Sequence, residues 1–476
     1  MKVKNFIVYF VTALMGAAFA LAGYMIFVKK DQIVVQPEIL SDSHFATYGN
    51  PMAKSNVPFD FTATAEQTVK GVVHVKTESQ GESNVNPFYE FFYGDRPRQS
   101  RPLVGFGSGV IISDDGYIVT NNHVIQSAEN IEVVLDDKRT FEAELIGADP
   151  NTDLALLKVK AKNLPIISMG SSENVKLGQW VLAVGNPFNL TSTVTAGIVS
   201  AKGRNIGILG GSRYRIESFI QTDAALNRGN SGGALVDTDG RLIGITAAIV
   251  SATGEYSGNS FAIPVDIVKK IVGDLKEFGR VQRAILGVTI SDVTSELVKE
   301  EGLDKIEGVY IQDITDGGAA ERAGIEKGDV VLDVNGQKVN AVSELQEQFS
   351  KYRPGDKVTV LVKRNKKAKQ YDVVLRNLEG GTDIVKTSDY VLGARFGEIT
   401  DDEKKELKIE NGIKILEMKD GKLADLGFKQ DYIIVRINST LIRSVSDINR
   451  ISDTGEQINS IQGVRPDGME FSLRIR

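Results

Sequence analysis

The sequence predicts a mainly β protein behind one N-terminal apolar helix. Between residues 59 and 281, short apolar alternations are separated by turns, and the pairs Asp115-Gly116 and Asp239-Gly240 each lie between two such alternations. An Asp-Gly pair in that setting is a strong hairpin signal. Long helical patterns are scarce until Val265 to Phe278. The region is therefore predicted to be an antiparallel β-barrel or sandwich.

Composition narrows the classes of function before any motif is considered. The chain has 476 residues, of which 42% are hydrophobic, and a formal net charge of -6. That length predicts about three domains, and the mild acidic excess gives no electrostatic reason to expect nucleic acid as a partner. The sequence contains no cysteine and three histidines. Disulfides, cysteine proteases and thiolate metal sites are therefore excluded, and no cofactor or metal is expected.

Residues 1–30 are the clearest targeting feature. Two lysines precede an uncharged stretch from Phe6 to Val28, and two more follow it. As a helix rising about 1.5 Å per residue, this stretch is long enough for the roughly 30 Å hydrocarbon core of a bilayer. Ala18-Phe19-Ala20 could serve as a cleavage site, but the apolar run continues past it. An uncleaved membrane anchor is expected in preference to a cleaved signal, and the rest of the chain is exported in either case.

Two segments lack the alternation typical of strands. Residues 31–58 contain scattered Pro, Ser and Asn without sustained periodicity and are interpreted as a tether. The loop from Gln80 to Pro102 is polar, yet five aromatic residues lie between Phe88 and Tyr93. An aromatic cluster in a long loop needs a surface to pack on. That surface is expected to belong either to the same subunit or to another one.

The C-terminal part of the chain repeats itself. The segment that begins at Gly308 resembles the one that begins at Gly412, and the segment ending at Asn335 resembles the one ending at Asn438. Each pair is separated by about one hundred residues, which is too long for a solenoid unit. Two copies of one small domain are therefore predicted. Their predicted bounds are 282–379 and 388–476, after a first domain at 59–281.

Three segments carry the residue types that hydrolysis by serine requires. Ser231 lies in Gly229-Asn230-Ser231-Gly232-Gly233, where the glycines allow a tight bend, so the amides of Gly229 and Ser231 can point at one oxygen. His123 follows a strand by a short polar step, as a base held over a cleft would. Asp153 precedes an apolar run that is interpreted as a buried strand. A carboxylate there is costly unless it is partnered, and an imidazole N–H is a fitting partner.

Each of these segments also has an ordinary structural explanation when it is taken alone, as a turn or a packed side chain. The other two histidines fit the role of base poorly, because His74 lies inside an alternating apolar run and His44 lies in the tether. His123 is therefore the candidate base by elimination. Asp153 is the candidate that orients it, and Ser231 is the candidate nucleophile.

Taken together, the segments around His123, Asp153 and Ser231, in that order along the chain, resemble the chymotrypsin-like fold. More closely they resemble the HtrA/Deg family of serine endoproteases of the cell envelope, over a span from about Phe59 to the C-terminus. The resemblance implies two packed six-stranded β-barrels with the catalytic triad between them. It implies an oxyanion hole formed by the amides of Gly229 and Ser231. It also implies PDZ domains behind the protease and trimers through the protease domain.

The resemblance assigns Leu226 and Ile249 to the primary specificity pocket. Both residues are apolar, so the pocket offers no charge to receive Lys or Arg. Cleavage after small or medium apolar residues is therefore expected. Because such residues are normally buried in folded proteins, the expected substrates are unfolded or misfolded chains.

Control of activity is expected to depend on loops around the site. Asn230 stands where digestive relatives of the fold have an aspartate that pairs with a newly cut N-terminus, so that switch is missing here. Ordering of loops is then the most plausible control. The family's sensor loop matches Ser200 to Ser218, and Arg204 matches the arginine that relays the position of the PDZ domain. A solvated loop arginine is the alternative interpretation.

The two repeats resemble PDZ domains, which add a peptide strand to a sheet edge and bind its C-terminal carboxylate on backbone amides. The binding loop of the first copy matches Ile285-Leu286-Gly287-Val288, although a plain β-turn would explain the glycine equally well. The second copy departs from the pattern, because Asp431-Tyr432 replaces Gly328-Asp329. Assembly or spacing is therefore a more fitting role for the second copy.

Three functions remain open on the sequence. A quality-control endopeptidase for damaged envelope proteins is favoured by the two PDZ copies. A membrane-anchored regulatory protease that cuts one signalling protein is favoured by the apparent anchor. A peptide-binding scaffold or holdase is disfavoured by the complete set of three catalytic residues.

Overall fold

The computed structural model divides the chain into two compact units, Met1–Phe59 and Asp60–Arg476. The predicted tether and the aromatic cluster between Phe88 and Tyr93 lie outside the described residues. The ranges described are 2–27, 60–79, 103–126, 128–187, 192–209, 214–249, 258–378, 380–384, 391–419, 421–438, 440–454 and 457–475.

The first unit contains one helix, α1, over Lys2–Phe27. Its apolar side chains are exposed, including Tyr9, Phe10 and Phe19. Within the described part of the chain, no helix has the length and apolarity of a membrane span.

The second unit begins with helix α2 (Thr62–Lys70) and a barrel of six antiparallel strands. The strands are β1 (Val72–Ser79), β2 (Leu103–Ile111), β3 (Tyr117–Asn121), β4 (Asn130–Val134), β5 (Thr140–Asp149) and β6 (Leu154–Val159). They close in the order β1-β2-β3-β6-β5-β4. The predicted hairpin at Asp115-Gly116 is confirmed, since it joins β2 to β3. Gly116 has φ +105, and a Cβ there would lie 2.4 Å from the carbonyl oxygen of Val159, so only glycine fits this turn.

A second closed barrel follows the first. Its strands are β7 (Trp180–Gly185), β8 (Thr193–Arg204), β9 (Phe219–Thr222), β10 (Ala234–Asp237), β11 (Leu242–Ile249) and β12 (Ser260–Pro264). Their closed order is β7-β8-β9-β12-β11-β10, which is the order of the first barrel shifted by six strands. The hairpin at Asp239-Gly240 joins β10 to β11, as predicted. The mainly β fold that the sequence predicts is thus a pair of barrels with one topology.

Two helices accompany the barrels: α3 (Asn122–Ile125), directly after β3, and α4 (Val265–Phe278), directly after β12. The buried residues Val268, Ile271 and Leu275 recur along α4 at helical spacing, so one face of α4 is apolar. That face belongs to the main hydrophobic core, together with the second barrel. The helix ends at Gly279, which has the left-handed conformation (φ 70) and donates its N–H to the carbonyl of Leu275.

A first C-terminal domain follows, built on an open antiparallel sheet. Its strands are β13 (Val288–Asp292), β14 (Val309–Ile314), β15 (Val330–Val334), β16 (Gln337–Lys338), β17 (Lys357–Arg364) and β18 (Lys367–Val374), and its helices are α5 (Ser295–Glu300), α6 (Ala319–Ala323) and α7 (Val342–Ser350). The strand order is β13-β14-β15-β17-β18, with β16 paired to β15. Strand β13 is therefore an edge strand.

A second C-terminal domain has the same strand order. It contains β19 (Ala394–Glu398), β20 (Ile413–Met418), β21 (Ile433–Ile437), β22 (Thr440–Leu441), β23 (Ser460–Val464) and β24 (Glu470–Arg474), with helices α8 (Asp401–Leu407), α9 (Lys422–Asp425) and α10 (Val445–Thr454). The order is β19-β20-β21-β23-β24, with β22 paired to β21. The internal repeat in the sequence thus corresponds to one repeated topology.

Both C-terminal domains contact the barrels through polar side chains. From the first domain, Arg353 pairs with Asp274 of α4 at 2.8 Å, and Lys351 pairs with Glu173 at 2.6 Å. From the second domain, Arg443 donates to the carbonyl of Ala128 at 3.0 Å, close to the end of α3. The barrels and the two domains are therefore connected by specific charged contacts as well as by the chain.

A buried histidine joins the two barrels. His74 of β1 is 1% exposed, and its Nδ1 lies 2.9 Å from the carbonyl oxygen of Asn186, which follows β7. Because a carbonyl can only accept, Nδ1 carries the proton of the neutral ring. Burial lowers the pKa of His74, and the bond to Asn186 and the charge of Glu132 oppose that shift. The neutral ring is therefore the form that the folded protein prefers.

This preference predicts that acid weakens the fold through His74. With a folded pKa below the ordinary 6.5, the unfolded chain takes up a proton first as the pH falls, so stability declines below about pH 6.5 until the folded pKa is passed. Urea unfolding at pH 7.5 and pH 5.5 should show a larger loss of unfolding free energy in the wild type than in His74→Gln. Equal losses in the two proteins would contradict the assignment.

Candidate active site

An aspartate and a histidine from the first barrel meet at its junction with the second. His123 lies in the short helix α3, after β3, and Asp153 lies in the turn before β6. The Nδ1 of His123 is 2.7 Å from Asp153 Oδ2, and the backbone N–H of His123 donates to Asp153 Oδ1 at 2.9 Å. Both side chains are buried, with 7% and 4% of their surfaces exposed. One carboxylate thus holds His123 by its backbone and by its ring, and the bond to the ring sets the imidazole proton on Nδ1.

The backbone of Asp153 is held as firmly as its side chain. Its φ is +57, a conformation that aspartate adopts more readily than most residues. The carbonyl of Asp153 accepts from the N–H of Asn122 at 3.1 Å and from the side-chain amide of Asn121 at 3.0 Å. The aspartate and the short histidine helix are therefore locked to each other by main-chain contacts.

The turn that carries Asp153 is itself built around a second buried carboxylate. Asp149 accepts from the Thr152 hydroxyl at 2.7 Å and from the Asn151 N–H at 3.2 Å. Arg283, in the segment between α4 and the first C-terminal domain, also pairs with Asp149. The N–H of Ile216 donates to the carbonyl of Asn151 at 2.9 Å. The turn therefore touches the segment that leads to that domain and the segment before β9.

Ser231 lies in the tight turn before β10, on the second barrel. The N–H of Ser108 in β2 donates to the carbonyl of Ser231 at 2.8 Å. A Cβ built on Gly107 would lie 2.6 Å from the Val124 side chain and 3.2 Å from the Ser231 carbonyl oxygen. Because Val124 follows His123 in α3, the missing side chain of Gly107 lets the serine turn approach the histidine helix. The Ser231 hydroxyl donates to the Ala247 carbonyl at 3.3 Å. Because this hydrogen bond is long, the hydroxyl can exchange Ala247 for another acceptor.

The turn around Ser231 also contains the two amides that the sequence predicts as oxyanion donors. In the described part of the chain, the N–H groups of Gly229 and Ser231 have no backbone acceptor. Gly229 has φ +92 and Gly232 has φ +86. A Cβ on Gly232 would lie 2.1 Å from the Ser108 carbonyl oxygen, so both glycines are required by the turn. Two unpaired amides in one turn are suited to bind an oxyanion.

The predicted specificity residues are only partly described. Leu226 is buried, with 4% of its surface exposed, and its neighbour Ala224 is fully buried. Ile249 is the last residue of β11 and its backbone pairs with Ser260, but its side chain lies outside the described residues. Of the two residues predicted for the pocket, Leu226 is therefore a buried apolar side chain.

Arg204 lies at the end of β8, where the first C-terminal domain contacts the second barrel. Its Nε donates to Gln221 at 3.0 Å, within that barrel. On the neighbouring residue, the carbonyl of Gly203 accepts from the Ser343 hydroxyl of α7. The Ser218 hydroxyl donates to Glu347 of the same helix. Helix α7 therefore contacts both ends of the predicted sensor loop, of which residues 210–213 lie outside the described ranges.

Asn230 is buried beside Ser231, and its side-chain oxygen has no hydrogen-bond partner among the described residues. A Cβ on Gly185 would lie 2.4 Å from that oxygen, which shows how closely β7 encloses Asn230. A charged aspartate in the same enclosure would need a cation that the described surroundings do not provide. The described residues also contain no cluster of His, Cys, Asp or Glu that could hold a metal ion.

The segment Ile285-Leu286-Gly287-Val288 lies at the start of edge strand β13. Gly287 has φ +78, and its carbonyl accepts from the N–H of Thr315. Leu286 is buried, and its carbonyl accepts from the N–H of Ala320 in α6. Ile285 pairs with Arg376. The segment is therefore a fixed turn that opens onto an unpaired sheet edge.

Sequence reasoning missed several residues that support the site. Ser108, Thr246 and Asn186 contact the serine turn or its support, and Arg283 contacts the turn of Asp153. Their only local signal is the placement of Ser108 between two glycines. The contacts depend on the tertiary arrangement of segments that lie between 16 and 134 residues apart, which spacing along the chain does not reveal.

Comparison with known proteins agrees with this arrangement. The model of the trypsin-like peptidase domain matches residues 107–245, and that of the PDZ domain matches residues 284–375. The probable periplasmic serine endoprotease DegP-like of Marinomonas sp. (strain MWYL1) is 40% identical over 417 residues, 83% of this chain and 88% of the relative. The relative with the same description from Pseudomonas putida (strain GB-1) is 37% identical and covers 83% and 87%.

Solved structures give the same result. The HtrA-type protease AlgW with decapeptide has a TM-score of 0.51 and 37% identity, over 67% of this chain and 99% of that one. The structure with tripeptide has a TM-score of 0.52 and 37% identity, over 67% and 97%. The chain is a serine endopeptidase with a trypsin-like domain and a PDZ domain, and it belongs to the HtrA/DegP-like family of serine endoproteases.

Proposed function

We propose that the protein hydrolyses peptide bonds in unfolded or misfolded proteins of the cell envelope, with His123, Asp153 and Ser231 as its catalytic triad. The two bonds from one buried carboxylate to His123 carry this proposal. They leave Nε2 of the neutral imidazole as the proton acceptor. The envelope location is supported by the descriptions of the relatives, which are named periplasmic.

The chemistry follows from these positions. His123 Nε2 takes the proton of Ser231 as the hydroxyl oxygen attacks the substrate carbonyl carbon, and the amides of Gly229 and Ser231 bind the resulting oxyanion. The carbon–nitrogen bond then breaks, and His123 donates the proton to the leaving amine. Water, deprotonated by His123, attacks the acyl-enzyme and releases the second product with the serine restored. Asp153 holds the ring of His123 in place and stabilises the imidazolium.

The apolar pocket supports a preference for small or medium apolar residues before the cut bond. Leu226 is buried and apolar, so the proposed pocket offers no charge at this position. Residues of that kind are buried in folded proteins, so they become available when a protein unfolds. The proposed substrate class therefore follows from the proposed cleavage preference.

The edge strand of the first C-terminal domain supports capture of a peptide segment. Strand β13 is open on one side, with helix α7 next to it and the turn Ile285–Val288 at its start. A peptide that pairs with β13 could place its C-terminal carboxylate at this turn. We assign this role to the first domain, and spacing or assembly to the second.

A regulatory role for Arg204 is proposed on the same contacts. Helix α7 forms part of the peptide groove on one side and touches Gly203 and Ser218 on the other. A shift of the first domain on peptide binding would then move the ends of the sensor loop. This supports control of the protease by its own peptide-binding domain.

The nucleophile can be tested with Ser231→Ala. Loss of the hydroxyl should lower the rate of casein hydrolysis by about a million-fold while the protein stays folded. Release of peptides from unfolded casein measures the activity, and the midpoint of thermal unfolding measures the stability. Ser295→Ala, which alters an exposed serine of α5, is the matched control and should retain full activity. Full activity in Ser231→Ala would show that another serine is the nucleophile.

The role of Asp153 can be tested with Asp153→Asn. Asparagine tolerates the left-handed backbone. Its oxygen must face the backbone N–H of His123, because that group can only donate, and its NH2 then faces Nδ1 and forces the imidazole proton onto Nε2. We expect kcat to fall about 10⁴-fold. A kcat within tenfold of the wild type would exclude Asp153 as the orienting residue.

The pocket can be tested with Leu226→Ala. Removal of the larger side chain should shift the preferred residue before the cut bond towards larger apolar residues, by about tenfold in relative kcat/KM, since one or two methylenes decide selection in such pockets. Mass spectrometry of casein fragments measures the shift. Leu164→Ala, at a site of equal burial in the first barrel, is the control and should leave the preference unchanged. An unaltered fragment pattern in Leu226→Ala would remove Leu226 from the pocket.

A further inference from the structure

Two buried hydroxyl groups that belong to neither the triad nor the pocket hold the serine turn. Ser108 of β2 and Thr246 of β11 are both fully buried. Ser108 Oγ donates to the carbonyl of Gly229 at 2.7 Å, while the N–H of Ser108 donates to the carbonyl of Ser231 at 2.8 Å. The first barrel thus binds the serine turn of the second barrel through two carbonyl groups of that turn.

Thr246 binds the carbonyl of Asn230, which lies between the carbonyls of Gly229 and Ser231. Its Oγ1 donates to the carbonyl of Asn230 at 2.6 Å. Its backbone N–H donates to Gly233 at 3.0 Å, and its carbonyl accepts from Gly232 at 2.8 Å. Three successive carbonyls, of Gly229, Asn230 and Ser231, therefore each have a fixed donor.

The direction of the Ser231 amide follows from the contact with Thr246. In a trans peptide the carbonyl and the N–H point in opposite directions from one plane. The carbonyl of Asn230 and the N–H of Ser231 belong to the same peptide group. A donor that holds the Asn230 carbonyl on one side therefore aims the Ser231 N–H towards the other side.

We propose that Thr246 and Ser108 are positioning residues that align the Ser231 amide, one of the two proposed oxyanion donors, for the reaction at Ser231. The inference rests on the proposed role of Ser231 as nucleophile. Neither hydroxyl touches substrate. Thr246 fixes the peptide plane that carries the Ser231 amide, and Ser108 fixes the planes on both sides of it.

Alignment matters because an oxyanion donor acts on charge that exists only in the transition state. Removal of one such donor costs about 10²–10³ in kcat. A donor that is present but free to rotate loses part of that effect, since it must be reoriented in each cycle. The loss falls on kcat and spares KM, because the ground-state carbonyl makes little use of these amides.

Substitution of Thr246 leaves fewer buried groups unpaired than substitution of Ser108 does. The Asn230 carbonyl also accepts from the N–H of Gly233 at 3.0 Å, so removal of the Thr246 hydroxyl leaves that carbonyl with a partner. Ser108 Oγ also accepts from the N–H of Asn186 at 2.9 Å, so Ser108→Ala strands a donor and an acceptor and destabilises the fold as well. Thr246→Val keeps the shape of the side chain, and Thr246→Ser restores the hydroxyl.

The test measures kcat and KM on a peptide substrate for Thr246→Val, Thr246→Ser and Thr68→Val. Thr68 is an equally buried threonine whose hydroxyl donates to the carbonyl of Thr64 in α2, far along the chain from the turn. We expect kcat to fall at least tenfold in Thr246→Val, with KM changed by less than about twofold, and to recover in Thr246→Ser. Thr68→Val should match the wild type.

Two inhibitors distinguish misalignment of the Ser231 amide from a general loosening of the site. A peptide boronate bonds to Ser231 and places an oxygen at the oxyanion position, whereas a product peptide of the same sequence only occupies the cleft. Affinity for the boronate should fall in Thr246→Val in step with kcat/KM, and affinity for the product peptide should stay unchanged. Ser108→Ala, compared at a temperature where it is folded, should show the same split.

Two results would overturn the proposal: a kcat in Thr246→Val within twofold of the wild type, or a Thr246→Ser enzyme as slow as Thr246→Val. An equal loss of affinity for both inhibitors would do the same, because it would indicate a structural role alone. Turnover by Ser231→Ala would instead refute the proposed nucleophile. The two failures are therefore distinguishable.

Discussion

The buried carboxylate of Asp153 is the constraint on which the rest of the site depends. A charge removed from water is costly unless hydrogen bonds replace its hydration. Both oxygens of Asp153 are satisfied by N–H groups of His123, one from the backbone and one from the ring. The same contacts fix the tautomer and the orientation of the imidazole. A requirement of folding and a requirement of general-base chemistry are thus met by one pair of bonds.

The support of this pair extends beyond the first barrel. The turn that carries Asp153 is held by Asp149, which pairs in turn with Arg283 on the way to the first C-terminal domain. The same turn accepts a bond from Ile216, before β9 of the second barrel. The position of the Asp153 carboxylate is therefore set by three parts of the molecule. A displacement of any of these three parts would change the geometry around His123.

Much of the fold could be predicted from local signals, and part of the site could not. The Asp-Gly hairpins and helix α4 follow from turn chemistry and periodicity, and the repeat indicated two domains of one topology. Ser231 and His123 stood out because glycines and polar steps interrupt apolar runs. Ser108 and Thr246 resemble ordinary strand residues, since only the register of β2 and β11 brings their hydroxyls to the serine turn. Such contacts belong to the tertiary structure.

Glu347 of α7 is a second carboxyl whose charge must be compensated at a junction between parts of the structure. It is a half-buried carboxyl at the junction of α7 with the second barrel, and it accepts a hydrogen bond from the Ser218 hydroxyl. Burial raises the pKa of Glu347, and the bond from Ser218 with the charges of Lys351 and Lys202 only partly offsets it. The contact between α7 and the predicted sensor loop thus includes a carboxyl whose charged form is disfavoured by burial, whereas both oxygens of Asp153 accept N–H groups of His123.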